Sequence, residues 1–426
     1  MTTIVAHRDA KTTPGSTPGG ERVRARERVY DGVICFGGED WWYHNRGHYD
    51  MQMMRRFAAR APVLYVNSIG MRAPTLGEGA MFLRRVLRKL RSLRRGLVRV
   101  EPGFSVWSPV AAPGRMGKRL NRTLLPGQIK RAAKKIGITR PLVWVACPPG
   151  AEVAGLLGGV GLVYQRTDRY ERFRGVDRAL IGRYDRTLKR EADLTVFCAS
   201  LLYDEEGGEC RRAFSADHGV DYDRFARAGA SGEEPEDMRG LGRPRVGFIG
   251  GIDSHTFDPA FFLAVAREMA EATFALVGAC SLPEGWCDLP NVHLLGQKPY
   301  EDVARCMAAC DVLIMPWNRN DWIEACNPVK LKEYLAVGRP IVTTPFYELK
   351  NYRGLVRVAE TPEAFARQVR AAIAEPAGVE ARRARVADQT WDAKARSVID
   401  ELARLGLMAA PDQPAAEGVA PDGRRA

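Results

Sequence analysis

No stretch of the 426-residue chain approaches the roughly 18 uninterrupted apolar residues that a membrane-spanning helix needs, so no spanning segment is expected. The first 28 residues carry Thr, Pro, Gly and Arg without an apolar core, which argues against a secretory signal and for a disordered leader. No Cys-x-x-Cys pair occurs. The nine cysteines are odd in number and scattered, a pattern of reduced cytosolic thiols, not of a disulfide framework or a zinc site. Cys306 and Cys310 share a spacing of four and read as core thiols. No Gly-x-Gly-x-x-Gly opens either half, which speaks against a nicotinamide dehydrogenase. A clustered Asp or Glu loop of the type that holds a metal-bound diphosphate is also missing, so no metal or other cofactor is expected. Finally, acids are scarce in one window. Residues 79–151 hold 17 Lys and Arg against the single acid Glu101, so that segment carries +16 of a chain whose net charge is +13.

What is present is ordinary for a soluble globular protein, 46% hydrophobic and 27% charged. The length suits two α/β domains better than one. Short β-branched or aromatic runs alternate with helical patterns, as in a parallel sheet covered by helices. Strands are expected at 33–36, 63–67, 97–100, 142–146, 161–165 and 194–198, then at 245–249, 274–277, 292–295, 312–315, 340–343 and 355–358. The fold class is therefore α/β, with two Rossmann-like doubly wound parallel-sheet domains. Their expected limits are 29–225 and 244–378, joined by a polar linker at 226–243. Helices at 379–408 would pack back across the domains, and a disordered tail would cover 409–426.

Ligands of such domains sit beyond the carboxyl ends of the strands. The strand at 245–249 runs into Gly250-Gly251, where backbone amides can approach a phosphate closely. The run Asn327-Pro328-Val329-Lys330-Leu331-Lys332-Glu333-Tyr334 predicts a helix with Asn327 as its cap, Pro328 in its first turn and Gly338 at its end. A helix N-terminus beside a sheet crevice is an anion site, to which Lys330 adds a positive charge. Glu333, one turn on, could accept hydrogen bonds from a ribose diol.

The run NPVKLKEYLAVGRPIV, with VGFIGGI, FALVG and NVHLLGQKPYEDVARCMAACDVLIMPW before it, resembles the donor domain of the family 4, or group 1, glycosyltransferases of GT-B fold. The resemblance implies that Gly250 and Gly251 face the diphosphate, that Gly296 and Gln297 lie by the base, that Lys330 sits by phosphate and that Glu333 holds the ribose, with Asn327, Pro328 and Val329 at the helix start counted among the donor-binding residues. Two positions depart from it. The family often has a second glutamate eight residues before the first, where this chain has Ala325 with Glu324 one place off. It also often has Arg or Lys in the first donor loop, where this chain has Asp253, Ser254 and His255.

In the first half, a strand delivers Trp41, Trp42, Tyr43, His44, Arg46 and His48, rings and polar tips that suit the faces and hydroxyls of an acceptor sugar. With the strand at 63–67 this opening is similar to polysaccharide glycosyltransferases of the teichuronic acid type. Asp168, at another strand end, is the first candidate for a polar group near the reacting sugar, with a helix cap as its alternative. Helix 81–97 has seven basic residues opposite an apolar arc of roughly 140°, a pattern that suits an anionic membrane surface. No nucleic-acid motif accompanies the charge, and none is expected as partner. The reading is a glycosyltransferase moving sugar from a nucleoside-diphosphate sugar to a glycan or lipid-linked glycan, at the cytosolic membrane face. The resemblance implies retention; inversion would use Asp168 or His44 as base, and Glu324 remains a third catalytic candidate. The alternatives are a sugar-nucleotide epimerase and a non-catalytic basic scaffold.

Overall fold

The computed structural model describes residues 29–43, 47–70, 80–111, 114–173 and 175–408. Helix 80–94 and helix 114–135 carry the basic window. The leader, the tail, His44 and Arg46 lie outside the described residues.

Two sheets organise the chain. The first has eight strands, β1 (Gly32–Phe36), β2 (Val63–Val66), β3 (Leu97–Glu101), β4 (Phe104–Trp107), β5 (Pro141–Val145), β6 (Gly161–Arg166), β7 (Leu194–Phe197) and β8 (Ala213–Ser215), in the order β3-β4-β2-β1-β5-β6-β7-β8. The second has six, β9 (Arg245–Ile249), β10 (Thr273–Val277), β11 (Val292–Leu294), β12 (Val312–Met315), β13 (Ile341–Thr343) and β14 (Arg357–Val358), in the order β11-β10-β9-β12-β13-β14. Every pairing is parallel except β3 with β4. That hairpin turns at Gly103, whose φ of +70° and whose approach to the Ala58 carbonyl leave no room for a Cβ. The central strands are buried on both faces, which is why they read as continuous apolar runs.

The helices that matter below are α1 (Tyr49–Phe57), α2 (Ala80–Arg94), α3 (Gly114–Lys135), α4 (Arg178–Glu191), α5 (Tyr222–Ser231), α6 (Pro259–Glu268), α7 (Tyr300–Ala308), α8 (Val329–Val337), α9 (Pro362–Ala374) and α10 (Trp391–Arg404). Three expectations change here. Residues 226–243 are not an open linker, because α5 is amphipathic and buries Phe225 in the core of the second sheet with α7 and α8. The basic helix stops at Arg94, since Gly96 takes φ +66° and Leu97 starts β3. The first sheet is mixed, with β3 as an antiparallel edge strand, not parallel throughout.

Helix α10 returns from the second half and lays Trp391, Ala395, Val398 and Leu402 into the core of the first sheet, against α1. Polar ties fix the same junction. Lys332 Nζ of α8 lies 2.6 Å from Asp217 Oδ2 after β8. The Asn327 amide donates to the Cys198 carbonyl at 2.9 Å. Buried Glu348 accepts from the backbone N–H and hydroxyl of Ser200, each at 3.1 Å. An unpaired charge at such a depth would be costly, so these ties constrain how the two halves meet.

Candidate active site

Where neighbouring connections leave a sheet towards opposite sides, the loops part and a crevice forms beyond the strand ends. In the first sheet this point lies between β1 and β5, and in the second between β9 and β12. The two crevices open into one cavity of about 570 Å³. Gly38 after β1, Ala146 after β5 and Asp168 after β6 form one wall; Gly250 and Gly251 after β9, Val329 and Glu333 form the other.

The second-domain wall is built around the glycine loop. The Ile249 N–H donates to the Tyr334 hydroxyl at 2.9 Å, so α8 holds the end of β9. The Gly250 N–H donates to the Val277 carbonyl at 2.8 Å, whereas the Gly251 N–H has no acceptor among the described residues. The Lys330 ammonium lies against Gly250, where a Cβ would come within 1.8 Å of Nζ. It sits 4.7 Å from the Phe248 ring centroid and 5.5 Å from that of Trp317, with no ion pair among the described residues. Burial pushes Lys330 down to about 8, against the opposing pull of Glu333. Glu333 is 8% exposed. Burial drives its carboxyl up to about 7, although Lys330 and the Tyr300 hydroxyl, 3.4 Å away, favour the charged form. The first turn of α8 has no side-chain cap, so its backbone donors and positive end remain available to an anion.

Gln297 also lines the cavity, but Gly296 does not; with φ +67°, its carbonyl accepts the Gly278 N–H at 2.9 Å and shapes the loop. Asn327 differs from its expected role. Pro328 is the N-cap residue, and Asn327 instead ties the two domains through Cys198.

On the first-domain wall, burial pushes the Asp168 carboxyl up to about 6, with Arg166 and His48 opposing. No donor hydrogen-bonds this carboxylate among the described residues, and Arg169, not Asp168, precedes the following helical turn. Asp168 is thus a free acceptor, not a cap. His48 lines the cavity from the start of α1. The turn beside it is held by Asp50, which accepts from the Gly38 N–H at 2.8 Å and the Tyr65 hydroxyl at 2.7 Å.

Four expected site residues lie elsewhere. Trp41 is 2% exposed and packs on Tyr65 and Phe104, because its side chain turns into the core of the first sheet. Trp42 and Tyr43 line a neighbouring groove. Glu324 is exposed and faces a separate depression with Arg319 and Tyr347, since the single turn Asp321–Glu324 directs Trp322 into the cleft instead. Trp322, with the His255 ring 5.2 Å away, was not singled out from the sequence. Nor was His218. It lines the cleft between Tyr49 and Trp391, its Nδ1 lacks a partner, and burial pushes it down to about 4, so the ring is neutral.

Residues 243–375 match the family model described as Glycosyl transferases group 1. A curated relative, the putative teichuronic acid biosynthesis glycosyltransferase TuaH of Bacillus subtilis (strain 168), is 30% identical over 140 residues, 31% of this chain and 34% of its own length. The matched part is thus about a third of that relative. Sucrose-phosphate synthase from Thermosynechococcus elongatus superposes with a TM-score of 0.65 at 15% identity, over 88% of this chain and 99% of that one. Anabaena HepE, solved in complex with UDP and glucose, gives 0.61 at 14% identity with the same coverage. The chain thus has the two-domain GT-B fold of these structures, and its second domain, residues 243–375, matches the Glycosyl transferases group 1 family model.

Proposed function

We propose that the chain is a glycosyltransferase that moves a sugar from a nucleoside-diphosphate sugar to a hydroxyl of a glycan or lipid-linked glycan in cell-surface polysaccharide or glycolipid synthesis. The observation that carries this reading is the convergence of the free Gly251 amide, the α8 N-terminus and Glu333 on one wall of the interdomain cleft, with the Lys330 ammonium against Gly250 of the same wall. In that reading the diphosphate lies along Gly251 and Lys330, the ribose on Glu333, and the base near Gln297. As the bond from C1 to the diphosphate oxygen breaks, negative charge builds on the leaving group, and Lys330 with the helix end stabilises it without a metal. Activity should accordingly survive chelation with EDTA.

The acceptor oxygen bonds C1 as the diphosphate leaves. With retention, the family expectation, the acceptor proton passes to the departing phosphate oxygen. A second reading, inversion, is favoured by one feature, the unpartnered Asp168 carboxylate, which would take that proton as general base. The anomeric configuration of the product linkage, read by NMR, separates the two.

Membrane attachment through α2 belongs to the same proposal. Ser92 of α2 is buried against Asn67 and Ser108, while Leu87 and Leu90 are 41% and 51% exposed. Apolar side chains turned outward beside basic ones suit the boundary of an anionic cytoplasmic leaflet. The deciding assay is release of nucleoside diphosphate from donor sugars. Release that requires an acceptor supports transfer, sugar interconversion without acceptor identifies an epimerase, and neither identifies a scaffold.

A further inference from the structure

A second concavity, of about 1080 Å³, opens beside the cleft and shares Gln297, Lys298, Tyr300 and Trp391 with it. Its walls come from α1 and the turn after it, α5, the loop before α7, and α10. Six cations line it: Arg55, Arg56, Arg60, Arg224, Lys298 and Arg396. Four already have carboxylate partners. Arg55 pairs with Glu101, Arg56 with Asp392 at 3.2 Å, Arg224 with Asp221 at 2.8 Å, and Lys298 with Asp237. Arg60 and Arg396 are exposed and have no ion pair among the described residues. The remaining acid of the wall, Glu301, stands in the first turn of α7, where the helix end offsets its charge.

Aromatic rings mark the rest of the groove. Trp42 carries the Arg95 guanidinium 4.4 Å from its ring centroid, and Tyr43 carries that of Arg88 at 5.6 Å, which adds two more cations at the rim. A concave surface in which cations outnumber acids, here six to three along the lining, concentrates anions. Guanidinium forks bind carboxylate and phosphate in a planar geometry, and rings supply the apolar faces on which sugars stack. The size of the groove exceeds what one monosaccharide fills, and its inner end meets the donor cleft at Tyr300.

We propose that this groove holds the acceptor as an anionic glycan, gripping carboxylate or phosphate groups on its sugars with Arg60 and Arg396 and feeding its end into the donor cleft. This rests on the glycosyltransferase reading, whose own failure would show separately as absent nucleoside-diphosphate binding.

The test uses the full chain and three fluorescent oligosaccharides of equal length: a uronic-acid oligomer, a glycosyl-phosphate oligomer and an uncharged one. A single-stranded oligonucleotide serves as the competing class. One anionic oligosaccharide should bind at least about tenfold more tightly than the neutral one, and which of the two binds identifies carboxylate or phosphate. The double variant Arg60→Gln/Arg396→Gln should lose about tenfold or more of that affinity, while its nucleoside-diphosphate affinity and melting temperature stay unchanged. Three results overturn the proposal: equal binding of neutral and anionic probes or no binding of either anion, an unaltered double variant, or an oligonucleotide that outcompetes the saccharides.

Discussion

Nucleoside-diphosphate affinity should pass through a maximum between about pH 7 and pH 8, because the two charges that the donor site needs are both displaced towards neutrality in the free protein. Burial holds Glu333 near 7 and Lys330 near 8. If the bound state requires the Glu333 carboxylate and the Lys330 ammonium together, roughly 0.6 of the free protein is competent at about pH 7.5 and roughly 0.09 at about pH 6 or pH 9. Affinity then falls about sixfold on each side of the optimum. Below the optimum the loss comes from protonating Glu333; above it, from deprotonating Lys330. Isothermal titration calorimetry across this range reads both limbs. Glu333→Gln should flatten the acid limb and keep the alkaline one, and Lys330→Met should do the reverse. The nucleotide's own phosphate titration is common to all three proteins and cancels in the comparison. Limbs that persist unchanged in both variants would refute the assignment of these two side chains to the donor.

The same burial predicts a stability effect. Glu333 is raised from 4.5 to about 7, so the native state disfavours its charged form; the cost is absent below about pH 4.5, grows up to about pH 7 and then stays constant, at about 3 kcal/mol at most. Ligand-free Glu333→Gln should therefore melt above the parent at pH 8 and with it near pH 4.5, as followed by thermal denaturation. Tyr334→Phe leaves the buried Ile249 N–H without its acceptor, which should lower stability by about 1–3 kcal/mol and loosen the glycine loop, measurable as faster amide exchange at Ile249 and Gly250. Replacing Leu87 and Leu90 by Ser should release the protein from anionic vesicles in a flotation assay without altering transfer to a short soluble acceptor; undiminished flotation would remove the membrane role of α2.

Much of the frame was legible because the central strands are buried on both faces and appear as unbroken apolar runs, 33–36 and 312–315 among them. The β4 strand, Phe104–Trp107, was missed because it is the return strand of a tight hairpin with β3 and follows it after only two residues, so the pair read as one strand. The helix at 329–337 was legible from Pro328 and Gly338, yet Asn327 only looked like a cap; its partner, Cys198, lies 129 residues away and no local pattern contains it. Trp41 and Trp42 are adjacent and chemically alike, but the chain direction sends one into the core and the other to the surface groove. Glu324 and Trp322 show the same limit within one turn of helix. His218 had no local signal either, since its significance comes from Tyr49 and Trp391, which only the fold brings beside it.

The most direct test of the donor site is a titration of nucleoside diphosphates into the parent and into Gly250→Ala. The added methyl would stand 1.8 Å from the Lys330 ammonium and, at φ +156°, would also strain the backbone there, so both the cation and the glycine loop shift from their positions around the diphosphate. The parent should bind at least one nucleoside diphosphate, and the variant, with an unchanged circular dichroism spectrum, should bind it at least about tenfold more weakly. A parent that binds none of them, or a variant that binds as well as the parent, would contradict the placement of the diphosphate between Gly250, Gly251 and Lys330.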